Sequence, residues 1–172
     1  MKSAIKKTVR TETGVFGEEH TAVVREDMGV ASRRHVKLDA IVDQIVAQTI
    51  PSSKIIGAVQ IGFGIEEMEG LRVVLGVPIE GLAAKLGISK ATLHRRKAAG
   101  KLDPAESDRV VRFARLMGKA VEVFESKESA RRWLNTPQVG LGGAVPLDYA
   151  ETEVGAREVE DLLGRIEYGV YS

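Results

Sequence analysis

The densest cluster of side chains able to contact another molecule lies between residues 89 and 97. If residues 90–99 form a helix, these side chains share its exposed face. Lysine and arginine pair with phosphates or guanine edges, serine takes a phosphate, and alanine meets a thymine methyl group. The pattern predicts DNA contact, and the alternative is a helical hairpin with a solvated basic face. The predicted DNA-contacting residues are Ser89, Lys90, Ala91, His94, Arg95 and Lys97.

Two short helices are needed to present this face. Residues 79–87 predict one helix ending at Gly87, where glycine supplies the positive φ of a tight turn. Ser89 is a natural N-cap for a second helix, which Gly100 closes. This spacing is typical of a helix-turn-helix, whose second helix enters the major groove. Arg96 stands where such helices usually bury an aliphatic residue, so it is expected to snorkel outward or to hydrogen-bond locally.

The charge of the chain becomes informative only when the sequence is divided. Its 172 residues carry 25 Lys and Arg against 24 Asp and Glu, a formal net charge of +1. Residues 1–37 sum to +3, residues 38–77 to −3, residues 78–119 to +6 and residues 120–172 to −5. A basic middle followed by an acidic end suggests two modules with different partners.

The glycine-rich segment at residues 140–146 invites a phosphate-binding interpretation, which its context does not support. Val145 stands where a dinucleotide fingerprint has its third glycine, no strand precedes the segment, and no Lys-Ser/Thr pair follows it. We interpret the segment as a tight connection between two helices.

Catalysis and metal binding find little support in the sequence. The chain has no cysteine, which excludes disulfides, thiol catalysis and thiolate zinc sites, and its three histidines lack ligand spacing. The acidic runs at residues 66–69 and 158–161 are interpreted as solvated helix faces. Ser3-x-x-Lys6 lacks the partner motifs of a serine–lysine nucleophile. We therefore expect a protein that is not an enzyme, with no cofactor and no metal site.

Helical periodicity elsewhere predicts an all-α fold. Apolar spacing predicts a helix over residues 38–46, a short helix or connector over 55–64, and a helix from residue 65. Asp103, Pro104 and Glu106 predict the capped start of a long helix whose apolar stripe reaches Phe124. Ser126 predicts the cap of a further helix, and apolar residues at 159–166 predict the last one.

Three parts follow from this pattern. Residues 1–37 form an N-terminal arm, either mobile or folded into a short hairpin, and residues 38–103 form a helical dimerisation and helix-turn-helix domain. Residues 104–172 form a connecting helix and a partner-binding domain. The longest uncharged apolar stretch has 11 residues and is too short to span a bilayer, and the N-terminus lacks the apolar region of a secretory signal. These features indicate a cytoplasmic protein without a membrane partner.

Two aromatic features stand apart from the helical stripes. Trp133 is either a core residue or an anchor for a partner, and a lone tryptophan on an amphipathic helix is more often core. The end of the chain, residues 168–172, is apolar and aromatic beyond the last predicted helix. Such a tail either docks back on its own chain or inserts into the cleft of a partner.

The order of motifs over residues 65–172 resembles the Xre/MbcA/ParS-type antitoxins. The motifs that carry the resemblance are TLHRRK, ESDRVVRFAR, WLNTP, GG-x-x-PL, ET-x-x-GA and the closing RIEYGVY. The resemblance implies an Xre-like DNA-binding module followed by a C-terminal toxin-binding domain. It implies a non-enzymatic antitoxin that occludes the active-site cleft of a RES-domain toxin, an enzyme that depletes NAD. With its toxin, such an antitoxin represses its own operon.

Toxin contacts are implied at the positions that match the family motifs, and the closing RIEYGVY segment is expected to reach the cleft. They are Trp133, Leu141, Gly142, Gly143, Pro146, Leu147, Arg165, Tyr168, Gly169, Val170 and Tyr171. Because operator readers normally bind paired half-sites, we expect a homodimer formed through residues 38–75 or through the helix at 110–124. It is expected to lie at the nucleoid when bound to its operator. The alternative is a stand-alone helix-turn-helix regulator whose C-terminal domain dimerises or senses a ligand.

Overall fold

The computed structural model describes residues 40–170, which fold into nine α-helices with two isolated β-bridges and no longer strand. The all-α fold expected from the sequence is confirmed. The predicted N-terminal arm, residues 1–37, lies outside the described residues. The helices are α1 (Ala40–Val46), α2 (Ser52–Ile61), α3 (Ile65–Leu75), α4 (Ile79–Lys85), α5 (Lys90–Ala99), α6 (Pro104–Phe124), α7 (Lys127–Leu134), α8 (Pro146–Tyr149) and α9 (Glu153–Glu167), with a 3-10 turn at Val139–Leu141.

Helix α6 is the centre of the fold. It packs against α1, α2, α3, α7 and α9, and Phe113, Leu116 and Met117 on it are completely buried. Its first turn is fixed as the sequence predicts, because the Asp103 carboxylate accepts from the Glu106 backbone N–H at 2.8 Å. The Glu106 carboxylate accepts from the Asp103 N–H, also at 2.8 Å, which completes the capping box.

One hydrophobic core runs from the helix-turn-helix to the last helix. Residues of both halves of the chain belong to it, including Leu82, Leu86, Leu93, Leu134, Val159 and Leu163. Because α6 contributes to both halves, the predicted boundary between residues 103 and 104 divides two sequence modules that share a core. The parts 38–103 and 104–172 remain predictions about function.

The short N-terminal helices agree with the apolar pattern. Val42 and Ile45 of α1 are buried, whereas Leu38 lies outside the described residues. Residues 55–64, expected as a helix or a connector, belong mostly to α2, which ends at Gly62 with a φ of 90°. No helix in residues 40–170 is long and apolar enough to cross a membrane.

The junction between α8 and α9 requires a glycine. A Cβ atom at Gly155 would overlap the carbonyl oxygen of Tyr149, so no other residue fits without moving the backbone. The Thr152 hydroxyl accepts a hydrogen bond from the Gly155 N–H at 3.0 Å and caps α9. This junction fixes the turn between α8 and the start of α9.

Candidate nucleic-acid and protein interfaces

Helices α4 and α5 form the predicted helix-turn-helix. Between them Gly87 adopts a φ of 67°, and the N–H of Ile88 donates to the Ala83 carbonyl oxygen at 2.8 Å. Ser89 caps α5 as predicted, because its hydroxyl oxygen accepts from the Thr92 N–H at 3.1 Å. The buried side chain of Ile88 anchors the turn to the hydrophobic core.

The outward face of α5 carries all six predicted DNA-contacting residues. Each of them is exposed, and Leu93 is the buried residue that attaches the helix to the core. The Ser89 hydroxyl also donates to the Thr92 hydroxyl at 3.0 Å, and Arg95 donates to the same oxygen at 3.2 Å. Lys97 is 3.9 Å from a carboxylate oxygen of Glu69, a long ion pair that leaves its amine accessible. The face therefore presents cations and small residues to solvent.

Arg96 points away from this face and binds locally, one of the two roles that the sequence left open. Its Nη2 donates to Asp103 Oδ2 at 2.7 Å. Its Nε is 2.8 Å from Glu106 Oε2, although the N–H is not aligned for a hydrogen bond, so this contact is an ion pair. Arg96 thus joins the C-terminal half of α5 to the capping box of α6.

Residues of the C-terminal half form ion pairs and a hydrogen bond that attach the helix-turn-helix and the adjoining part of α6 to the rest of the fold. Lys85 on α4 pairs with Asp148, and its Nζ is 3.7 Å from Glu151. On α6, the Arg109 Nη1 donates to the Leu86 carbonyl oxygen at 2.8 Å, and Arg112 pairs with Glu153 at 3.1 Å. Sequence reasoning missed these contacts, since the paired residues are 23 to 66 positions apart.

The second candidate interface is the end of α9, a name used here for the last turn of the helix together with the residues that follow it, 168–170. Tyr168 is 80% exposed and Val170 is 55% exposed, so neither side chain is covered by the core. Gly169, with a φ of 68°, reverses the chain between them, and the Val170 N–H donates to the Arg165 carbonyl oxygen at 2.9 Å. Of the predicted tail contacts Arg165, Tyr168, Gly169 and Val170, all are exposed, whereas Tyr171 lies outside the described residues.

A groove of about 350 Å³ beside Val170 extends this interface. It runs between the 3-10 turn and the last two turns of α9, and its lining includes Val139, Leu162 and Ile166. Val139 is 96% exposed, although the sequence interpretation did not single it out. Its exposure comes from the 3-10 turn, which a glycine-rich pattern does not reveal.

The remaining predicted toxin contacts divide by burial. Three of them are buried and attach the glycine-rich segment to the core: Leu141, Pro146 and Leu147. The two glycines between them, Gly142 and Gly143, are exposed and have positive φ. Trp133 is half-buried and packs against Phe124, with the ring centroids 5.7 Å apart at an interplanar angle of 41°. A partner reaching this segment would therefore meet exposed backbone at Gly142 and Gly143.

Carboxylates surround the tail. Glu158, Glu160 and Asp161 line a hollow with Arg165, Tyr168 and Val170. Burial raises the pKa of Glu160, and the neighbouring charge of Glu153 raises it further. Among residues 40–170, no group of three or more histidines and carboxylates is placed to hold a metal ion. The hollow is therefore an acidic surface around an apolar tail.

Comparison with known families finds two matches, one on each side of residue 117. Residues 72–115 match the family described as the antitoxin Xre-like helix-turn-helix domain. Residues 119–169 match the family described as the antitoxin Xre/MbcA/ParS C-terminal toxin-binding domain. The first match contains α4 and α5, and the second contains α9 and Tyr168 but ends one residue before Val170.

Curated relatives carry names consistent with these matches. A Yersinia enterocolitica protein named antitoxin Xre is 36% identical over 128 residues, covering 72% of this chain and 86% of that protein. A Photorhabdus laumondii protein of the same name is 41% identical over 88 residues, covering 50% of this chain and 60% of that protein. A Sphingobium protein named Prs ADP-ribosylating antitoxin is 25% identical over 127 residues, covering 68% of this chain and 80% of that protein.

Proposed function

The chain belongs to the Xre family of type II antitoxins, and we propose that it neutralises a RES-domain toxin that degrades NAD. It does so by inserting the end of α9 into the active-site cleft of the toxin, without catalysing a reaction itself. Together with the toxin it represses its own operon through α5, acting as a homodimer in the bacterial cytoplasm and binding the nucleoid at its operator.

The exposed end of α9 is the observation that carries the toxin-binding part of this proposal. Tyr168 and Val170 are apolar side chains held in solvent by an ordered turn, so binding would bury them without first ordering that turn. The carboxylates of Glu158 and Asp161 beside them complement a basic rim. A basic rim would also attract an anionic dinucleotide, and this complementarity is the reason for proposing a toxin that consumes NAD.

The DNA-binding part is supported by the local geometry of α5. Its N-cap, its exposed cations and its single buried anchor are those of a helix that lies in the major groove. Phosphate contacts from Lys90, Arg95 and Lys97 would provide affinity, and Ala91 and His94 lie near the end of the helix that meets base edges.

Co-expression with the neighbouring reading frame tests the toxin. We expect that frame alone to lower cellular NAD and arrest growth, and the full chain to restore both. A chain ending at Glu167 should fail to restore them because it lacks the tail. Val154→Ser, which changes an exposed valine at the other end of α9, is the matched control and should neutralise fully. If the product of the neighbouring frame leaves NAD unchanged, the chain neutralises a different toxin or is a stand-alone regulator. Full neutralisation by the chain ending at Glu167 would contradict the tail mechanism.

Operator binding is tested separately with Arg95→Ala and Lys97→Ala together. The double variant should lose affinity for DNA from its own promoter region by about 30-fold or more if both side chains contact bases, because each such contact is worth roughly 1–3 kcal/mol. Its affinity for the toxin should not change. Loss of toxin binding with retained DNA binding would show that the two interfaces are assigned wrongly.

A further inference from the structure

The hydroxyl of Thr92 joins two of the predicted DNA-contacting side chains of α5. It accepts a hydrogen bond from the Ser89 hydroxyl at 3.0 Å and another from Arg95 Nη2 at 3.2 Å. Thr92 itself is half-buried and is not among the predicted DNA contacts. Its backbone N–H donates to Ser89 Oγ at 3.1 Å, which is the N-cap bond of α5. The three side chains therefore form one hydrogen-bonded chain along the helix.

The bond to Thr92 gives the Arg95 side chain a direction. Thr92 precedes Arg95 by three residues, so the guanidinium lies over the preceding turn and toward the N-terminal end of α5. In a helix-turn-helix, that end of the second helix is the one that contacts base edges. An exposed arginine without such a bond samples many rotamers in solvent and loses that freedom on binding. Thr92 thus holds the guanidinium near the expected position of the DNA.

The partner of Arg95 also leaves the charge of the arginine intact. The adjacent Arg96 is bound by the carboxylates of Asp103 and Glu106, which neutralise it. Arg95 is instead bound by a hydroxyl, which is a neutral group. A guanidinium has five N–H donors, and this bond uses one of them. Of the two adjacent arginines, one attaches α5 to α6 and the other keeps its charge and most of its donors for an anion.

The Thr92 hydroxyl can act toward a further molecule only as a donor. Ser89 and Arg95 both donate to its oxygen, which occupies the two lone pairs and leaves the hydroxyl proton to be donated. Thr92 and Arg95 therefore offer donors side by side to a single acceptor group. The oxygens of a DNA phosphate accept from several directions, whereas a guanine edge lies in one plane and pairs with one planar group. The arrangement therefore favours a phosphate.

We propose that Thr92 and Arg95 bind the same backbone phosphate of the operator. Arg95 supplies the charge, and Thr92 both positions the guanidinium and donates its own proton to the phosphate. This contact rests on the proposed operator binding and adds a residue to it. The role of Thr92 follows from its bonds to Ser89 and Arg95, because its own exposure does not distinguish it.

A double-mutant cycle tests whether the two residues act together. The full chain is titrated with a duplex from its own promoter region and with an unrelated duplex of equal length. Thr92→Val keeps the shape of the side chain without the hydroxyl, and it should weaken promoter binding about 3- to 10-fold with an unchanged salt slope. In an Arg95→Ala background, the same change should weaken binding less than about twofold, because the phosphate is no longer held against the hydroxyl. Equal losses in both backgrounds would overturn the proposal.

Two further variants separate the hydroxyl from a general change in the helix. Thr92→Ser keeps a hydroxyl and should bind DNA like the natural chain. Thr136→Val removes a hydroxyl at the end of α7, which donates to the Arg132 carbonyl oxygen at 2.7 Å, and should not change DNA affinity. Melting curves should show that all variants fold. A Thr92→Ser variant that binds as weakly as Thr92→Val would overturn the proposal.

Methylphosphonate substitution of the promoter duplex identifies the phosphate. Neutralising one phosphate at a time should reveal a position at which the natural chain loses affinity and Arg95→Ala does not, and Thr92→Val should reduce the loss at that same position. Effects of the two variants at different phosphates, or at a guanine that lacks N7, would overturn the proposal. So would an unchanged salt slope for Arg95→Ala, the result expected if residues 1–39 neutralise the arginine. A natural chain that binds both duplexes equally would refute operator recognition, and the cycle on the unrelated duplex would then decide the phosphate contact.

Discussion

Replacing Arg96 with methionine would separate support of the DNA-reading helix from contact with DNA. Methionine keeps an unbranched apolar stem but removes the charge that reaches Asp103 and Glu106. If the structure assigns Arg96 correctly, the variant loses the link between α5 and α6 and loses no phosphate contact.

The size of the effect follows from exposure. The Arg96 side chain is 30% exposed and that of Glu106 is 7% exposed, so the pair lies between a surface ion pair and a buried one. Surface pairs contribute about 0–1 kcal/mol and hydrogen bonds to charged groups, such as the one from Arg96 to Asp103, about 1.5–3 kcal/mol. We expect Arg96→Met to lower the free energy of unfolding by about 1–2 kcal/mol, equivalent to roughly 2–8 °C in Tm.

The assay compares Arg96→Met with Arg95→Ala, its neighbour on the outward face. Fluorescence anisotropy on operator DNA at several salt concentrations gives both the affinity and its salt dependence. Losing one phosphate contact per subunit reduces the salt slope by about 1 per subunit. Arg95→Ala should show that reduction with an unchanged Tm, whereas Arg96→Met should lower Tm and weaken binding with the slope unchanged.

Two results would refute this reasoning. A reduced salt slope for Arg96→Met would mean that the side chain leaves its carboxylates and contacts phosphate. An unchanged Tm would mean that the ion pairs contribute nothing to holding α5. Arg96→Lys provides a further check, because it keeps the charge but cannot reach both carboxylates with one planar group, and it should recover only part of the stability.

Glycine substitutions on α9 and a carboxylate beside the tail provide further tests. Gly155→Ala should lower Tm by more than 10 °C or prevent folding, since its methyl group would overlap the Tyr149 carbonyl. Gly164→Ala, which has open space around it, is the control and should leave Tm the same or slightly higher. Similar losses of Tm for both variants in thermal melts would contradict the packing around Gly155. Because burial raises the pKa of Glu160, the folded state binds its proton more tightly than the unfolded state, so this group lowers stability as pH rises above the ordinary carboxyl value of 4.5. Glu160→Gln should therefore raise Tm at pH 7 and leave it unchanged at pH 3. Glu158→Gln, at another carboxylate of the same hollow, is its control, and a Glu160→Gln variant less stable at pH 7 would reverse the assigned sign.

Local chemistry made the helix ends and the helix-turn-helix predictable. Ser89, Asp103 and Ser126 cap the helices that the sequence assigns to them, because an N-cap acts on backbone groups two or three residues away. Gly87 likewise acts through its own φ. Such interactions can be read from a few consecutive residues.

Features that depend on distant residues were not predictable. Lys85 pairs with Asp148 across 63 positions, and no local pattern indicates that contact. Residues 140–146 were interpreted as a tight connection between two helices, and they do lie between α7 and α8. The 3-10 turn at Val139–Leu141 and the bridge between Gln138 and Ala144 were not predicted, nor was the exposure of Val139. Burial of Leu141 and Leu147 is also set by packing against other helices, so motif position alone did not separate supporting residues from exposed ones.

The charge asymmetry of the sequence is partly internal to the fold. In the segment of net charge +6, Lys85, Arg112 and Lys119 pair with carboxylates of the segment of net charge −5. A hydrogen bond from Lys119 to Glu167 raises the pKa of the lysine, which is the direction expected for a pair that stabilises the folded state below the ordinary lysine value of 10.5. Segment sums therefore overstate the charge that each partner meets.

The charge left for partners is more localised than those sums suggest. Among the described residues, Lys90 and Arg95 on α5 have no ion pair, and neither do Glu158 and Asp161 beside the tail. The basic residues lie on α5 and the acidic residues on α9, and both helices pack against the same hydrophobic core. The core therefore holds the two oppositely charged surfaces at fixed positions relative to each other. A toxin bound at the end of α9 would therefore be carried to the operator in a defined orientation, which is what joint repression by antitoxin and toxin requires.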